Sequence, residues 1–253
     1  MQVFIIGSNG FIGSKLFEVY SKEQNQNVVG VNRQMLDFMK HETFNNISLN
    51  RDDIIIDCIT CVDGSEEDIK KINIDGFSNF LNYILLQNRR VKYIYISTYS
   101  VLLPDIVSIN PYVKSKSEAE HILKSSGLDY IIIRLIFPFG QGENPNRLIS
   151  SLINKIKSDQ SLIIDKLTFN LTPISAFVKD FPELIEAKEK EINYSVFEPF
   201  YLPEIVSFIY QELGKQESYN ISNKEQKIAL YSPFKTKVKL QSVWDELKEM
   251  IHV

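Results

Sequence analysis

The chain has 253 residues, 44% of them apolar and 24% charged, an ordinary globular composition that excludes a disordered or collagen-like protein. With 28 Lys and Arg against 32 Asp and Glu, its net charge is −4, which gives no sign of the basic surface that binding to a nucleic-acid backbone needs. No apolar run approaches the roughly 18 residues of a membrane span, and the first residues lack the basic region and cleavage site of a signal peptide, so we expect a cytoplasmic protein with no nucleic-acid or membrane partner.

Short apolar segments alternate with amphipathic segments over the first 142 residues. Buried strands are predicted for the apolar segments at residues 3–6, 28–31, 54–59, 93–96 and 130–135. Helices are predicted where apolar residues recur at helical spacing, at residues 11–20, 66–86 and 112–125. Because strands and helices alternate, we expect right-handed βαβ crossovers and an α/β fold with a doubly wound parallel sheet, the Rossmann architecture.

The alternation ends after Gly142. A strand is predicted at residues 162–164, and helices at 148–156, from Phe181 with Pro182 in its first turn, at 203–213, and along a final apolar stripe of Leu240, Val243, Trp244, Leu247 and Ile251. We therefore expect a Rossmann domain over residues 1–145 and a small, discontinuous substrate-binding cap over 146–253, some segments of which return to the first domain.

Residues 165–200 fit no regular pattern but are rich in phenylalanine. The five phenylalanines of this segment are Phe169, Phe177, Phe181, Phe197 and Phe200. Either these rings bury the cap against the sheet, or part of the segment closes over a bound substrate and excludes water.

Three glycines stand at three-residue intervals between the first predicted strand and the first predicted helix. Gly7 would permit a tight turn, Gly10 would let the backbone approach a pyrophosphate, and Gly13 would let the helix pack closely on the strand. The N-terminus of the helix would then face the phosphates. The run Gly7-Ser8-Asn9-Gly10-Phe11-Ile12-Gly13 therefore predicts a dinucleotide-binding turn.

The end of the second predicted strand indicates which dinucleotide is bound. An acidic residue there accepts the ribose hydroxyl of NAD, whereas an arginine accommodates the 2′-phosphate of NADP. Asn32 and Arg33 follow Val31, and neither is a carboxylate. We therefore favour NADP(H) over NAD(H), with a solvated surface arginine as the alternative explanation of Arg33.

A phenol, an ammonium and a hydroxyl group could move a proton. Tyr112 and Lys116 lie four residues apart on one predicted helix, which Asn110 is placed to cap. A neighbouring ammonium lowers a phenol pKa from about 10, so the phenol could exchange a proton with a carbonyl or alcohol oxygen near neutral pH. Ser97 and Thr98 follow a predicted strand at the edge of the sheet where ligands bind, so one of them could hydrogen-bond the same oxygen.

The two cysteines form the sequence Cys58-Ile59-Thr60-Cys61, which could be a redox pair or half of a zinc site. The three histidines are scattered without ligand spacing, and this C-x-x-C ends a strand, whereas a redox pair usually opens a helix. We therefore interpret both cysteines as small apolar residues and expect no metal.

These motifs and their order resemble the extended short-chain dehydrogenase/reductase family, which is also called the NAD-dependent epimerase/dehydratase family. It includes nucleotide-sugar epimerases, dehydratases and 4-ketoreductases. Besides the glycine run and Tyr112…Lys116, the markers are Asp53-Ile54-Ile55-Ile56-Asp57-Cys58, Asn73-Ile74-Asp75-Gly76-Phe77-Ser78-Asn79-Phe80-Leu81, Ser97-Thr98-Tyr99-Ser100-Val101 and Ile133-Arg134-Leu135…Phe139-Gly140.

The resemblance implies that Tyr112 is the general acid/base and that Lys116 binds the nicotinamide ribose and tunes Tyr112. It implies that Thr98, rather than Ser97, orients the substrate oxygen. By the same resemblance, we assign Cys58, Ile59, Thr60 and Phe137 to the cofactor site and Tyr99 and Arg147, with Thr98, to the substrate site.

Within the family, residues 97–101 and the short link at 33–37 are most similar to the dTDP-4-dehydrorhamnose reductases. Dehydratases carry an acidic pair after the catalytic threonine, where this chain has Tyr99-Ser100. The resemblance thus implies an NADPH-dependent reductase of a keto group, at C4, on a nucleotide-activated sugar in surface polysaccharide precursor synthesis. The alternatives are a nucleotide-sugar epimerase that retains NAD and a non-catalytic NAD(P)-binding protein. Helices 66–86 and 112–125 would form the interface of a homodimer, which is common in the family.

Overall fold

The computed structural model describes residues 1–22, 27–87, 90–196, 198–228 and 241–253. It divides the chain into two compact units, one formed by Met1–Leu135 with Glu183–Ile192 and the other by Ile136–Pro182 with Asn193–Val253. The division differs from the predicted boundary at residue 145, because residues 136–145 pack with the second unit. Within that unit, Phe139 lies in the core and its short strand pairs with Thr172–Pro173.

The first unit is built on a six-stranded sheet with the strand order β2-β1-β3-β4-β5-β9. Its strands are β1 (Val3–Ile6), β2 (Val28–Val31), β3 (Ile54–Asp57), β4 (Lys92–Thr98), β5 (Asp129–Leu135) and β9 (Glu191–Tyr194), of which the last two residues of β9 are counted with the second unit. The pairs from β2 through β5 are all parallel, which confirms the predicted doubly wound sheet. Every residue of β1 and β3 is buried, as expected for strands that are covered by helices on both faces.

The helices of the first unit are α1 (Phe11–Lys22), α2 (Glu66–Lys70), α3 (Phe77–Leu86), α4 (Pro104–Ile109) and α5 (Pro111–Ser125), with 3₁₀ turns at His41–Asn46 and Tyr99–Leu102. The single helix predicted over residues 66–86 is interrupted by a π-helical turn at Lys71–Gly76. Within this turn, Gly76 lies so close to Phe38 that a Cβ atom would be 2.7 Å from the Phe38 carbonyl oxygen. A larger residue would therefore push the turn away from its neighbour.

The second unit contains a three-stranded sheet of order β10-β7-β11 and a two-stranded sheet, β6-β8. Its elements are β6 (Pro138–Phe139), α6 (Leu148–Lys157), β7 (Leu162–Phe169), β8 (Thr172–Pro173), α7 (Ile174–Ile185), β10 (Phe200–Tyr201), α8 (Leu202–Glu212), β11 (Tyr219–Ile228) and α9 (Gln241–Ile251), of which α7 ends in the first unit. Leu240 of the predicted final stripe lies outside the described residues. No helix among the described residues is long and apolar enough to cross a membrane.

The predicted start of a helix at Phe181 is wrong. The helix starts at Ile174, and Pro182 lies inside it near its C-terminal end. The physical reason is a distant cap, since the Glu246 carboxylate on α9 accepts hydrogen bonds from the Ser175 backbone N–H at 3.2 Å and from the Ser175 hydroxyl. A carboxylate at this position satisfies N–H groups that have no partner within the helix.

The phenylalanines of residues 165–200 are buried wherever the structure describes them. Phe169, Phe177, Phe181 and Phe200 are all nearly inaccessible to solvent, and Phe197 lies outside the described residues. Phe177 packs edge-on against Phe181 at 5.3 Å between ring centroids. Burial of this kind favours the packing explanation over a mobile cover for the substrate.

Candidate active site

The turn between β1 and α1 has a shape that only glycine permits. Gly7 has a φ of +80°, and its N–H donates to the Val31 carbonyl at 2.9 Å. The Gly10 N–H donates to the Gly7 carbonyl at 2.9 Å, and a Cβ atom at Gly13 would overlap that same carbonyl. Since α1 begins at Phe11, the turn presents a helix N-terminus, and the residues of the glycine run fit a pyrophosphate.

The glycine turn lies directly against the end of β3. The Cys58 N–H donates to the Ile6 carbonyl at 3.0 Å, and a Cβ atom at Gly7 would be 3.2 Å from the Ile59 backbone nitrogen. The structure therefore brings Cys58 and Ile59, with Thr60 following them, next to the glycine turn. These residues were assigned to the cofactor from the resemblance alone.

The link that follows β2 contains a carboxylate, Asp37, that is not among the predicted site residues. The Asn32 side-chain oxygen accepts the N–H of Gln34 at 2.9 Å and that of Met35 at 3.2 Å, so Asn32 holds the turn. The Arg33 side chain is 78% exposed, and its Nε lies 3.2 Å from Oδ2 of Asp37. The Arg33 guanidinium, which suits a 2′-phosphate, and the Asp37 carboxylate, which suits ribose hydroxyls, thus lie side by side.

Helix α5 positions the predicted tyrosine and lysine. The Asn110 side-chain oxygen accepts the Val113 N–H at 3.1 Å, so this helix begins where the sequence predicts. Tyr112 is half-buried, and Lys116 is buried one turn later. The Lys116 ammonium donates to the Ile96 carbonyl at 2.8 Å, and burial lowers its pKa to about 8.

The two candidate hydroxyl groups on β4 have different surroundings. Ser97 and Thr98 lie within the strand, which runs two residues further than predicted. The buried Ser97 hydroxyl donates to Oε1 of Glu120 at 2.6 Å. The Thr98 hydroxyl, which is half-buried, accepts only a long contact of 3.4 Å from the Ser100 N–H among its described bonds. Thr98 is therefore the hydroxyl better able to turn toward a ligand, with the half-buried Tyr99 beside it.

A partly buried ion-pair network, which was not predicted from the sequence, anchors α5 to the sheet. Arg134 on β5 lies 2.5 Å from Oε2 of Glu120 on α5 and 2.5 Å from Oε2 of Glu191. Lys124, one turn after Glu120, reaches Glu191 at 2.8 Å. These partners come from three separate elements, so no local pattern in the sequence shows them. Their effect is to fix the helix that carries Tyr112 and Lys116.

Asn73, in the π-helical turn, ties two parts of the first unit together. Its side chain accepts the Cys61 N–H at 2.7 Å and donates to the Cys61 carbonyl at 2.9 Å. It also donates to the Ser115 hydroxyl on α5 at 2.9 Å. Although Asn73 belongs to one of the sequence markers, no role was assigned to it. The structure shows that it holds the segment after β3 against the helix of Lys116.

The cysteines are free, and their surroundings do not favour thiolate chemistry. Burial raises the pKa of the Cys58 thiol and that of the Cys61 thiol, with nearby carboxylates acting in the same direction. Among the residues that the structure describes, no group of three or more His, Cys, Asp and Glu side chains could hold a metal ion.

The second unit has its own cavity of about 180 Å³, which Phe137 and Arg147 both line. Phe137 packs edge-on against Phe169 at 4.9 Å between centroids. The Arg147 Nε lies 3.7 Å from Oε2 of Glu143, whose other oxygen accepts the Ser150 N–H at the start of α6. Different roles were predicted for Phe137 and Arg147, toward cofactor and substrate respectively, but the structure brings them together in one cavity.

The chain is similar to one known protein family and to several solved structures. A family model described as the NAD dependent epimerase/dehydratase family matches residues 3–173. No curated protein sequence matches the chain. The similar solved structures include UDP-glucuronic acid 4-epimerase from Bacillus cereus in complex with NAD, with a TM-score of 0.79, 20% identity, and coverage of 99% of this chain and 96% of that chain.

Two further solved structures are similar over their whole length. RMD from Pseudomonas aeruginosa complexed with NADPH has a TM-score of 0.78 at 15% identity and covers 99% of this chain and 97% of that chain. UDP-N-acetylglucosamine 4-epimerase from Methanobrevibacter ruminantium M1, in complex with UDP-N-acetylmuramic acid, has a TM-score of 0.79 at 18% identity with the same coverage of 99% and 97%. At such identities, the similarity establishes the fold.

Proposed function

The chain belongs to the NAD-dependent epimerase/dehydratase family, and on that premise we propose that it is an NADPH-dependent reductase of a keto group, at C4, on a nucleotide-activated sugar. One observation carries the proposal. Tyr112 and Lys116 lie one turn apart on α5, Lys116 contacts the backbone of β4, and Thr98 ends that strand with its hydroxyl only weakly bonded. A proton donor, a cation and an orienting hydroxyl are what the reduction of a carbonyl requires from the protein.

The residues that would hold the dinucleotide belong to the first unit. The glycine turn at residues 7–13 would bind the pyrophosphate, Arg33 would contact the 2′-phosphate, and Cys58, Ile59 and Thr60 would line the site. Lys116 would contact the nicotinamide ribose. When bound, the reduced nicotinamide supplies the hydrogen and the two electrons that the carbonyl carbon gains.

The chain's own residues move the proton. The Thr98 hydroxyl would donate a hydrogen bond to the carbonyl oxygen of the substrate and so orient it. The Tyr112 phenol would give its proton to this oxygen and become a phenolate, which the positive charge of Lys116 stabilises. A proton from solvent would then restore the phenol. In the opposite direction, the phenolate would take the proton of an alcohol.

The residues that line the cavity of the second unit support the proposal that the substrate carries a nucleotide. The half-buried Phe137 ring, which packs on the buried Phe169, suits the flat face of a base, and the Arg147 guanidinium suits a diphosphate. Tyr99, beside Thr98, would contact the sugar. Because Phe137 shares this cavity with Arg147, we assign it to the substrate in preference to the cofactor.

A nucleotide-sugar epimerase that retains NAD is the second candidate, and Asp37 is the observation that favours it. Its carboxylate lies beside Arg33 and could accept the ribose hydroxyls that NAD has and NADP lacks at the 2′ position. A non-catalytic NAD(P)-binding protein is less consistent with the structure, because such a protein would have no need for the buried Lys116 next to Tyr112.

Identification of the bound nucleotide, followed by a turnover assay, tests the proposal. The protein is purified and denatured, and any released nucleotide is identified by mass spectrometry. The protein is then incubated with NADPH and a nucleotide-linked 4-keto sugar, and also with NAD and UDP-glucose. Oxidation of NADPH in proportion to a new alcohol product supports the reductase. Tightly retained NAD, together with inversion of UDP-glucose at C4 and no net oxidation of the sugar, would instead identify the protein as an epimerase.

A further inference from the structure

We propose that Asp57, a carboxylate at the end of β3, is a positioning residue that keeps the buried Lys116 ammonium charged and in place. The site residues singled out by their sequence pattern do not include it. The inference rests on the proposed function for its consequence at Tyr112, but the pairing of Asp57 with Lys116 can be tested without any substrate.

The register of the sheet places Asp57 on the same face as two tyrosines. Asp57 pairs with Tyr95 across the parallel strands β3 and β4, so their side chains point to the same side, and Tyr93 lies two residues earlier on that face. The Tyr93 hydroxyl donates to Oδ2 of Asp57 at 2.7 Å, and the Ile59 N–H donates to Oδ1 at 2.8 Å. Both carboxylate oxygens therefore receive a hydrogen bond, which favours the ionised form.

Lys116 reaches this face from α5. Its ammonium lies 3.9 Å from the centroid of the Tyr95 ring, in addition to its hydrogen bond with the Ile96 carbonyl. Asp57 is 1% exposed and Lys116 is 2% exposed, so neither charge is hydrated in the ordinary way. A lone buried charge is costly, and such a group usually becomes neutral unless an opposite charge is near.

The titration of the two groups is consistent with this pairing. Burial lowers the pKa of Lys116 to about 8, and Asp57 is the group that most strongly opposes this fall. Burial raises the pKa of Asp57, and Lys116 opposes that rise, followed by the hydrogen bond from Tyr93. Each charge thus makes the other easier to bury.

Apart from Tyr112, the phenol one turn earlier on α5 to which the proposed function assigns the proton transfer, the other titratable groups that act on Lys116 are paired or neutral. Glu120 also favours the ammonium form of Lys116, but its carboxylate is paired with Arg134 at 2.5 Å. Burial raises the pKa of the Cys58 thiol, so this thiol stays protonated. Burial also raises the pKa of both Tyr93 and Tyr95, which keeps these phenols neutral. Asp57 is therefore the carboxylate on which the charge of Lys116 depends.

The test is the pKa of Lys116 measured by NMR in the full-length protein with isotope-labelled lysine, where Lys116→Met identifies the signal. Asp57→Asn should lower this pKa by about one to three pH units, the usual effect of a nearby opposite charge. Asp53→Asn is the matched control, because Asp53 is a buried carboxylate directly before β3, at the opposite end from Asp57, and accepts hydrogen bonds from the Gln2 and Asn50 N–H groups, each at 2.7 Å. It should leave the pKa of Lys116 unchanged.

A second variant covers the case in which Asp57→Asn does not fold. Tyr93→Phe removes one hydroxyl group and one of the two hydrogen bonds that favour ionised Asp57, so it should lower the pKa of Lys116 in the same direction by a smaller amount. An unchanged pKa of Lys116 in folded Asp57→Asn, or in Tyr93→Phe if only that variant folds, would overturn the proposal. These titrations contain no substrate or cofactor. Their outcome can therefore be interpreted even if the proposed reductase activity is not found.

Discussion

The Ser97 hydroxyl donates a hydrogen bond to the buried carboxylate of Glu120 at 2.6 Å. This bond gives the adjacent hydroxyl groups of Ser97 and Thr98 different surroundings. From the sequence alone, only the family resemblance distinguished the two. Ser97 belongs to the interior contacts that fix α5, whereas Thr98, the next residue, is half-buried at the end of the strand. The two residues should therefore respond to substitution in opposite ways.

Substitution of the two hydroxyls tests this separation. Thr98→Val should lower kcat by about 10²–10³, the usual loss when one donor to a reacting oxygen is removed, and should leave the stability nearly unchanged. Ser97→Ala should lower the free energy of unfolding by about 1–3 kcal/mol, because the charged Glu120 carboxylate loses one of the two donors to its Oε1, the other being Arg134 Nε, with little change in kcat. Steady-state kinetics and urea unfolding of both variants give the comparison. The reverse pattern would assign the catalytic hydroxyl to Ser97.

Removal of the Tyr112 phenol group tests the assignment of the proton donor. Tyr112→Phe should lower kcat by about 10²–10⁴ and leave the affinity for the dinucleotide nearly intact, since general acid catalysis contributes that much. Tyr83→Phe is a suitable control, because it removes a hydroxyl that bonds Asn45 far along α3. Retention of most of the wild-type kcat in Tyr112→Phe would mean that another group supplies the proton.

The charges of Arg33 and Asp37, which follow β2, should determine the preference between NADPH and NADH. Arg33→Ala should weaken NADPH binding much more than NADH binding, because a guanidinium interacts with the 2′-phosphate that only NADPH has. Asp37→Asn should strengthen NADPH binding, because it removes a negative charge beside that phosphate. Fluorescence titration measures both affinities. Equal losses for the two cofactors in Arg33→Ala would contradict the NADP assignment.

The activity should depend on pH through Lys116. Its pKa is lowered by burial to about 8, so the ammonium is present below that pH and is lost as the pH rises through it. Since the ammonium stabilises the Tyr112 phenolate, kcat/KM should fall on the alkaline side of about pH 8. The profile is measured over a pH range in which far-UV circular dichroism shows no unfolding. A profile that stays flat well above that pH would show that the charge of Lys116 is not required.

Parts of the fold and site that depend on local sequence were predicted well. The strands β1 and β2 have the predicted bounds because their apolar runs end in turn residues. The start of α5 follows from Asn110 and Pro111, which cap and begin it. The glycine turn was also visible, since its backbone shape depends on residues within one short segment.

Features made by residues distant in sequence were not predicted. The N-terminus of α7 is capped by Glu246, 71 residues further along the chain, so the local signal of Pro182 gave the wrong start. The partners of Lys116 come from β3 and β4, and the strand register that aligns Asp57 with Tyr95 cannot be read from either segment alone. Asp37 was not predicted as a site residue because it lies beyond the residues that end β2 and meets Arg33 only through the fold of the following link.

The most direct test of the proposed function uses NADPH in which both hydrogens at the reactive carbon of the nicotinamide are replaced by deuterium. The enzyme is incubated with this cofactor and a nucleotide-linked 4-keto sugar, and the product is analysed by NMR and mass spectrometry, with Tyr112→Phe as the inactive control. We predict one deuterium at C4 of the sugar and none in the product mixture of Tyr112→Phe. A 4-keto sugar that stays unreduced and without deuterium, together with inversion at C4 of added UDP-glucose while NAD remains bound to the protein, would contradict the reductase and identify an epimerase.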